Sequence, residues 1–298
     1  MTHDAGVMTE PAPDFRHRQL DIDGLSVHVA EAGVSGQPAA FLLHGWPESW
    51  SAFERVMATL STDAHVIAMD LPGVGDSKSS PPWSDKRTLA SYVHGVIERL
   101  SLHDVTLVGH DIGGMIVYAY LRASLGRVSR AVIMNTAIPG VYPWEDIKRN
   151  PHIWHFAFHA VPALPEKLVA GHQAAYFDFF YDRLAATPGA VTDEARETYV
   201  DAYARTHALR AGFDWYRAFE QDERDNADAA HRTDDTPLLY LRGERESGFG
   251  LERYVSGLKA AGMTDVRGGV IEGSGHFAPD EQPERVSAAI GAFMGLGG

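Results

Sequence analysis

Residues 109–113 read Gly-His-Asp-Ile-Gly, set between the apolar run Val105 to Val108 and a longer one that starts at Met115. This fits the sharp strand-to-helix turn G-x-S-x-G, with Asp111 in the position of the nucleophilic serine. Small neighbours let such a turn close and expose its central side chain. The N–H groups that open the following helix favour an anion there. A serine attacks a carbonyl carbon after a base has removed its proton. A carboxylate is already ionised at neutral pH and can attack saturated carbon, leaving an ester that water later cleaves. Asp111 is therefore the candidate nucleophile, and a helix-capping aspartate is the bland alternative. His276, in Gly273-Ser274-Gly275-His276-Phe277, and the carboxylates of Arg242-Gly243-Glu244-Arg245-Glu246 supply the other side-chain types that this chemistry needs. Imidazole titrates near neutrality and suits proton removal from water.

The elements that must hold these residues follow from periodicity. Residues 18–31 alternate around Asp23-Gly24 and predict a β-hairpin. Short apolar runs at 39–45, 65–71, 105–110 and 130–136 predict strands. The stretches 51–60, 88–100 and 113–125 carry apolar residues at helical intervals. Continuous apolar strands alternating with helices predict a parallel sheet covered on both faces. From 138 to 232 strand signals vanish and aromatic residues concentrate, with helices predicted over 174–184, 194–208 and 212–221. The acidic run 220–235 reads as a solvated return to the sheet. Strands resume at 236–243 and 266–273, and a last helix spans 283–294. The organisation expected is an N-terminal tail (1–16), a sheet domain in two parts (17–137 and 233–298) and a helical cap (138–232) over the carboxyl edge of the strands, where ligands bind in such sheets.

Composition narrows the function. A net charge of −14 argues against nucleic acid as a partner. The absence of cysteine excludes thiolate and disulfide chemistry. No run approaches the ~18 apolar residues of a membrane span. The start of the chain lacks an apolar signal segment, so a cytoplasmic protein is the default expectation. Neither a metal nor a cofactor is expected.

The segments HGWPESW (44–50), DLPGVGDS (70–77), GHDIGG (109–114) and GSGHF (273–277) together resemble the α/β-hydrolase superfamily over nearly the whole chain. The resemblance implies the α/β-hydrolase fold, with a mostly parallel sheet flanked by helices and a helical lid. It implies that the backbone N–H groups of Trp46 and Ile112 form an oxyanion hole, and that His276 is the general base. The acid orienting that base comes from the loop after the penultimate strand, where Glu246 has the favoured spacing and Glu244 is its rival. His44 orders its loop, and Trp46-Pro47 lies in a tight turn of the kind that often holds a cis bond.

An aspartate nucleophile is similar to the epoxide hydrolase and dehalogenase branch. Ile112 stands where haloalkane dehalogenases and most epoxide hydrolases carry a Trp, and the arginines of haloacetate dehalogenases are absent. His-Asp-Ile-Gly instead resembles the Cif-like epoxide hydrolases. Residues 153–156 and 213–219 are similar to lid segments of that subgroup, which implies that His155 and Tyr216 hold the epoxide oxygen. His152, His159 and His207 read as surface or packing histidines. Asn135 departs from the pattern, because the subgroup places its relay acid there, and the role then passes to Glu246. The resemblance implies a small apolar epoxide and water as reactants, no cofactor, and a homodimer. The competing readings are a dehalogenase of small organohalides and a catalytically silent scaffold that binds an apolar ligand.

Overall fold

Asp23 and Gly24 both adopt positive φ, 50° and 81°, the two-residue turn whose twist matches an antiparallel pair. It joins β1 (Arg16–Ile22) to β2 (Leu25–Ala32) in the register Arg16↔Glu31. The computed structural model describes residues 15–297. Most of the tail expected over 1–16 lies outside these residues. Its last two positions are ordered into the fold: Phe15 meets Trp50 edge-on at 5.6 Å, and Arg16 opens β1.

The remaining strands are β3 (Ala39–Leu43), β4 (His65–Met69), β5 (Val105–His110), β6 (Val128–Met134), β7 (Leu238–Gly243) and β8 (Val266–Ile271). They form one eight-stranded sheet in the order β1-β2-β4-β3-β5-β6-β7-β8. From β4 across to β8 every pairing is parallel, while β1–β2 and β2–β4 are antiparallel. All residues of β3, β4 and β5 are buried, as continuous apolar strands covered on both faces should be. Successive side chains divide between two cores. Phe41, Ile67 and Leu107 belong to one, and Leu42, Ala68 and Val108 to the other.

Helices α1 (Glu54–Leu60), α2 (Lys86–Arg99) and α3 (Ile112–Arg122) follow strands β3, β4 and β5. Between β6 and β7 lie α4 (Trp144–Lys148), α5 (Trp154–Ala160), α6 (Leu164–Val169), α7 (Gln173–Leu184), α8 (Asp193–Ala202), α9 (Thr206–Arg217) and α10 (Phe219–Ala229). The chain closes with α11 (Leu251–Ala260), α12 (Ala278–Glu281) and α13 (Pro283–Met294). No helix among the described residues is long and apolar enough to cross a membrane.

Three helical expectations change. The helix predicted over 212–221 is interrupted at Ala218, between α9 and α10. The helix predicted over 194–208 is broken at 203–205, where Tyr203 is fully buried and its carbonyl accepts Gln173 Nε2 at 3.2 Å. The acidic stretch 220–235, read as a solvated return, is helical over its first half. Phe219, Asp222, Asn226 and Ala229 form the buried stripe of α10. Asp222 accepts both the backbone N–H and the ammonium of Lys86, each at 2.7 Å, inside the protein.

Candidate active site

Asp111 sits between β5 and α3 with φ 49° and ψ −118°, a conformation costly for any residue with a Cβ and held only where its surroundings impose it. The turn closes because Gly113 has no side chain: a Cβ there would lie 2.2 Å from the carbonyl oxygen of Leu43 at the end of β3. This contact brings the loop after β3 against the turn that carries Asp111. Trp46 N donates to Asp111 Oδ1 at 3.0 Å, and the Trp46-Pro47 bond is cis. His44 Nδ1 donates to Gly45 O at 2.8 Å, and its Nε2 accepts Leu71 N at 3.0 Å. That imidazole ties two loops together and is kept neutral by burial, which pushes its pKa down.

His276 reaches the turn from the loop after β8. Its Nε2 lies 3.8 Å from Asp111 Oδ2, and its Nδ1 lies 3.0 Å from Glu246 Oε1. Glu246 Oε2 accepts Asn135 Nδ2 at 2.8 Å and pairs with Arg242 Nη1 at 3.0 Å. Burial works against ionisation of Glu246. The hydrogen bond and charge of His276, the guanidinium of Arg242 and the Asn135 amide outweigh it and hold the carboxyl below its usual range. Glu244 is exposed and accepts Gly273 N at 2.9 Å, away from His276. Asn135 has φ 52°, a left-handed conformation that asparagine tolerates better than most residues, and its amide is the donor that Glu246 meets.

A second buried pair stands behind the first, and the motifs gave no sign of it. Glu48 Oε2 accepts both His110 Nδ1 and Gly45 N at 2.9 Å, and His110 Nε2 donates to the carbonyl oxygen of His276 at 2.7 Å. Both ring nitrogens of His110 are donors, so the ring is an imidazolium. Burial opposes that charge, but the Glu48 carboxylate beside it raises the pKa to about 9. Glu48 and His110 are 62 residues apart, and no local spacing announces their partnership.

Over Asp111 lies a cavity of about 590 Å³. Its walls include Trp46, Ile147, Ile153, Trp154, Phe156, Phe179, Phe180 and Phe249, with Asp111, Glu246 and His276 on its floor. His155 from α5 and Tyr216 from α9 line the same space, their rings 5.9 Å apart. Burial, reinforced by the charge of His276, lowers the His155 pKa to about 3. Burial and the nearby Asp111 carboxylate push the Tyr216 phenol well above 10. Both are therefore neutral near pH 7. Trp46 is the hub of the wall, its ring within 4.5 Å of His159, 5.0 Å of Phe180 and 5.8 Å of Tyr216, centroid to centroid. His159 is fully buried in this cluster, bonded through Nε2 to Tyr176 Oη at 2.7 Å. Among the described residues no group of three or more side chains is arranged to hold a metal ion.

A strained strand–turn–helix junction that presents Asp111, faced by a histidine paired with a glutamate at the carboxyl edge of a parallel sheet, is the arrangement of an α/β-hydrolase. The chain belongs to the alpha/beta hydrolase fold family, which matches residues 38–283. Within it, the chain is 30% identical over 282 residues to the soluble epoxide hydrolase of Corynebacterium sp. (strain C12), covering 92% of this chain and 95% of that protein. The structure of Cfl2 from Burkholderia cenocepacia is 32% identical with a TM-score of 0.85, covering 94% of this chain and 96% of that one. The Cif epoxide hydrolase of Acinetobacter nosocomialis, at 22% identity, shares the fold with a TM-score of 0.83 over 94% of this chain and 88% of that one.

Proposed function

We propose that the protein hydrolyses an epoxide to a vicinal diol in two steps, with residues 138–232 acting as the cap over the site. The observation that carries this reading is the line Glu246–His276–Asp111 beneath two neutral donors in an aromatic cavity. Asp111 Oδ1 is held by Trp46 N, which leaves Oδ2 to attack a ring carbon. The C–O bond breaks as the Asp111 ester forms. Tyr216 gives its proton to the leaving ring oxygen and His155 donates a hydrogen bond to it. Two neutral donors suit this step, since they stabilise charge that develops only as the ring opens.

In the second step His276 Nε2 takes a proton from water as that water attacks the ester carbonyl. The carbonyl oxygen then becomes an oxyanion on the amides of Trp46 and Ile112. Collapse breaks the ester C–O bond, and the leaving alkoxide takes the acid proton, so that the Asp111 carboxylate and the diol result. The proton held by His276 returns through water to the Tyr216 phenolate. Glu246, already ionised, stabilises the imidazolium through Nδ1, so Asn135 serves the relay as a clamp on its acid. The relatives that are epoxide hydrolases support this chemistry over dehalogenation, as does Ile112, whose side chain cannot donate a hydrogen bond to a departing halide.

Purified protein given a panel of epoxides and haloalkanes should release diol and not halide. In His276→Ala the covalent adduct should accumulate on Asp111, detected by mass spectrometry. Halide release without diol would establish dehalogenation instead, and saturable binding with no product would establish the silent scaffold.

A further inference from the structure

The loop that carries His276 is fastened to the inserted helices through one carboxylate that the catalytic scheme does not use. Glu281, at the end of α12, accepts Phe277 N through Oε1 at 2.9 Å and Gly275 N through both oxygens at 3.0 Å. Its Oε2 also accepts Ala186 N at 2.6 Å, from the segment that follows α7, 95 residues away in the chain. Beside that junction His276 N donates to Leu184 O at 2.9 Å. The two segments touch so closely that a Cβ on Gly275 would lie 2.4 Å from Leu184 O. The peptide group of His276 is thus held on its N–H side by the inserted helices and on its carbonyl side by His110.

We propose that Glu281 is a positioning residue that makes the placement of His276 depend on the end of α7. The proposal rests on the two-step reading above for its kinetic consequence. Hydrogen bonds to a carboxylate are among the stronger ones, and here three donors from two distant segments converge on it. His276 works only on the ester, so loosening its loop slows hydrolysis and leaves the attack by Asp111 untouched. A carboxylate that merely capped α12 would produce no such split between steps.

The test compares wild type with Glu281→Ala, Glu281→Gln and Ala186→Pro, using styrene oxide as probe. Ala186→Pro removes the donor on the α7 side and sets a ring carbon against Glu281 Oε2, so it breaks this contact without altering the loop of His276 itself. The preceding Ala185, at φ −68° and ψ 150°, already has the extended backbone that a residue before proline needs. In Glu281→Ala, kcat is expected to fall on the order of 10- to 100-fold, as a small misplacement of a catalytic group costs. The first-turnover rate of alkylation should stay within about twofold, and alkyl-enzyme should dominate the steady state. Ala186→Pro and Glu281→Gln should shift the same balance to a lesser degree.

Amide exchange read by mass spectrometry should rise together in segments 184–187 and 274–278 in Glu281→Ala, with the sheet unchanged. Equal slowing of both chemical steps would overturn the positioning role. Faster exchange in 274–278 alone would overturn the tie between segments. If wild type makes no diol from styrene oxide, the exchange measurement still decides the tie, so its failure and that of the epoxide reading are separable.

Discussion

Two carboxylates face His276 from opposite sides, and their partners set their different work. Glu246 lies close, at 3.0 Å from Nδ1, and its far oxygen is occupied by Asn135 and Arg242. Asp111 stands off, at 3.8 Å from Nε2, with one oxygen held by a backbone amide and the other turned toward His276. An acid so anchored orients the imidazole and stabilises its charge without leaving the carboxylate form. Glu246→Gln keeps the shape and removes the charge, and should lower kcat by roughly 10²- to 10⁴-fold, by analogy with the loss of the orienting acid in a catalytic triad. Glu244→Gln, on the Gly273 side of the same loop, should leave steady-state kinetics within about twofold.

Asn135 sharpens this contrast. Sequence reasoning marked it as a departure from the position of a relay acid, because an amide cannot stabilise a cation by charge. Its left-handed backbone aims the amide at Glu246 instead. Asp111 and His276 stand out as candidates because each lies in a run of small residues, and Glu246, with Glu244 as its rival, because it follows a predicted strand. The Glu48–His110 pair and the Arg242 contact do not, since their meaning depends on which distant segments the sheet brings together.

At the scale of elements, the joint between α2 and α10 is the clearest case of a surface that looked polar and is not. The Lys86 ammonium binds Asp222, lies 4.8 Å from the centre of the Phe219 ring, and is 2% exposed. Burial raises the Asp222 carboxyl, and Lys86 only partly offsets that effect. Breaking such a pair leaves an uncompensated buried charge, whereas replacing both partners with apolar groups is often neutral. Lys86→Met should therefore destabilise the fold by about 3 kcal/mol in urea unfolding, and Lys86→Met with Asp222→Leu should recover most of the loss. The same chemistry explains why the strands were read correctly and α10 was not. A continuous apolar run has one reading, but an aspartate in an acidic stretch gives no sign that its partner is buried 136 residues earlier.

Across the whole molecule, the buried histidines give stability opposite slopes at the two ends of the pH scale. His110 has a folded pKa of about 9, above the ordinary 6.5. Its contribution is complete below about 6.5 and is lost as pH rises through 9. His155 has a folded pKa of about 3, below that of the unfolded chain, so it lowers stability as pH falls from about 6.5 toward 3. Glu48 and Glu246, both held below the usual carboxyl range, add to the acid limb. The melting temperature should therefore be highest near pH 6.5, with decline on both sides. In His110→Gln the decline between pH 7 and 10 should flatten, because the group that loses its proton there is gone.

Trp46 links these scales in a way that bears on redesign. Its amide holds Asp111, and its ring is the surface on which residues of α5, α7 and α9 converge. A substitution made there to enlarge the pocket would also disturb the amide that holds Asp111 and the packing of His155 and Tyr216. Ile147, Phe179 and Phe249 line the same cavity. On the reading proposed above, selectivity among epoxides of different bulk should shift on substitution there with less effect on Asp111, His155 and Tyr216.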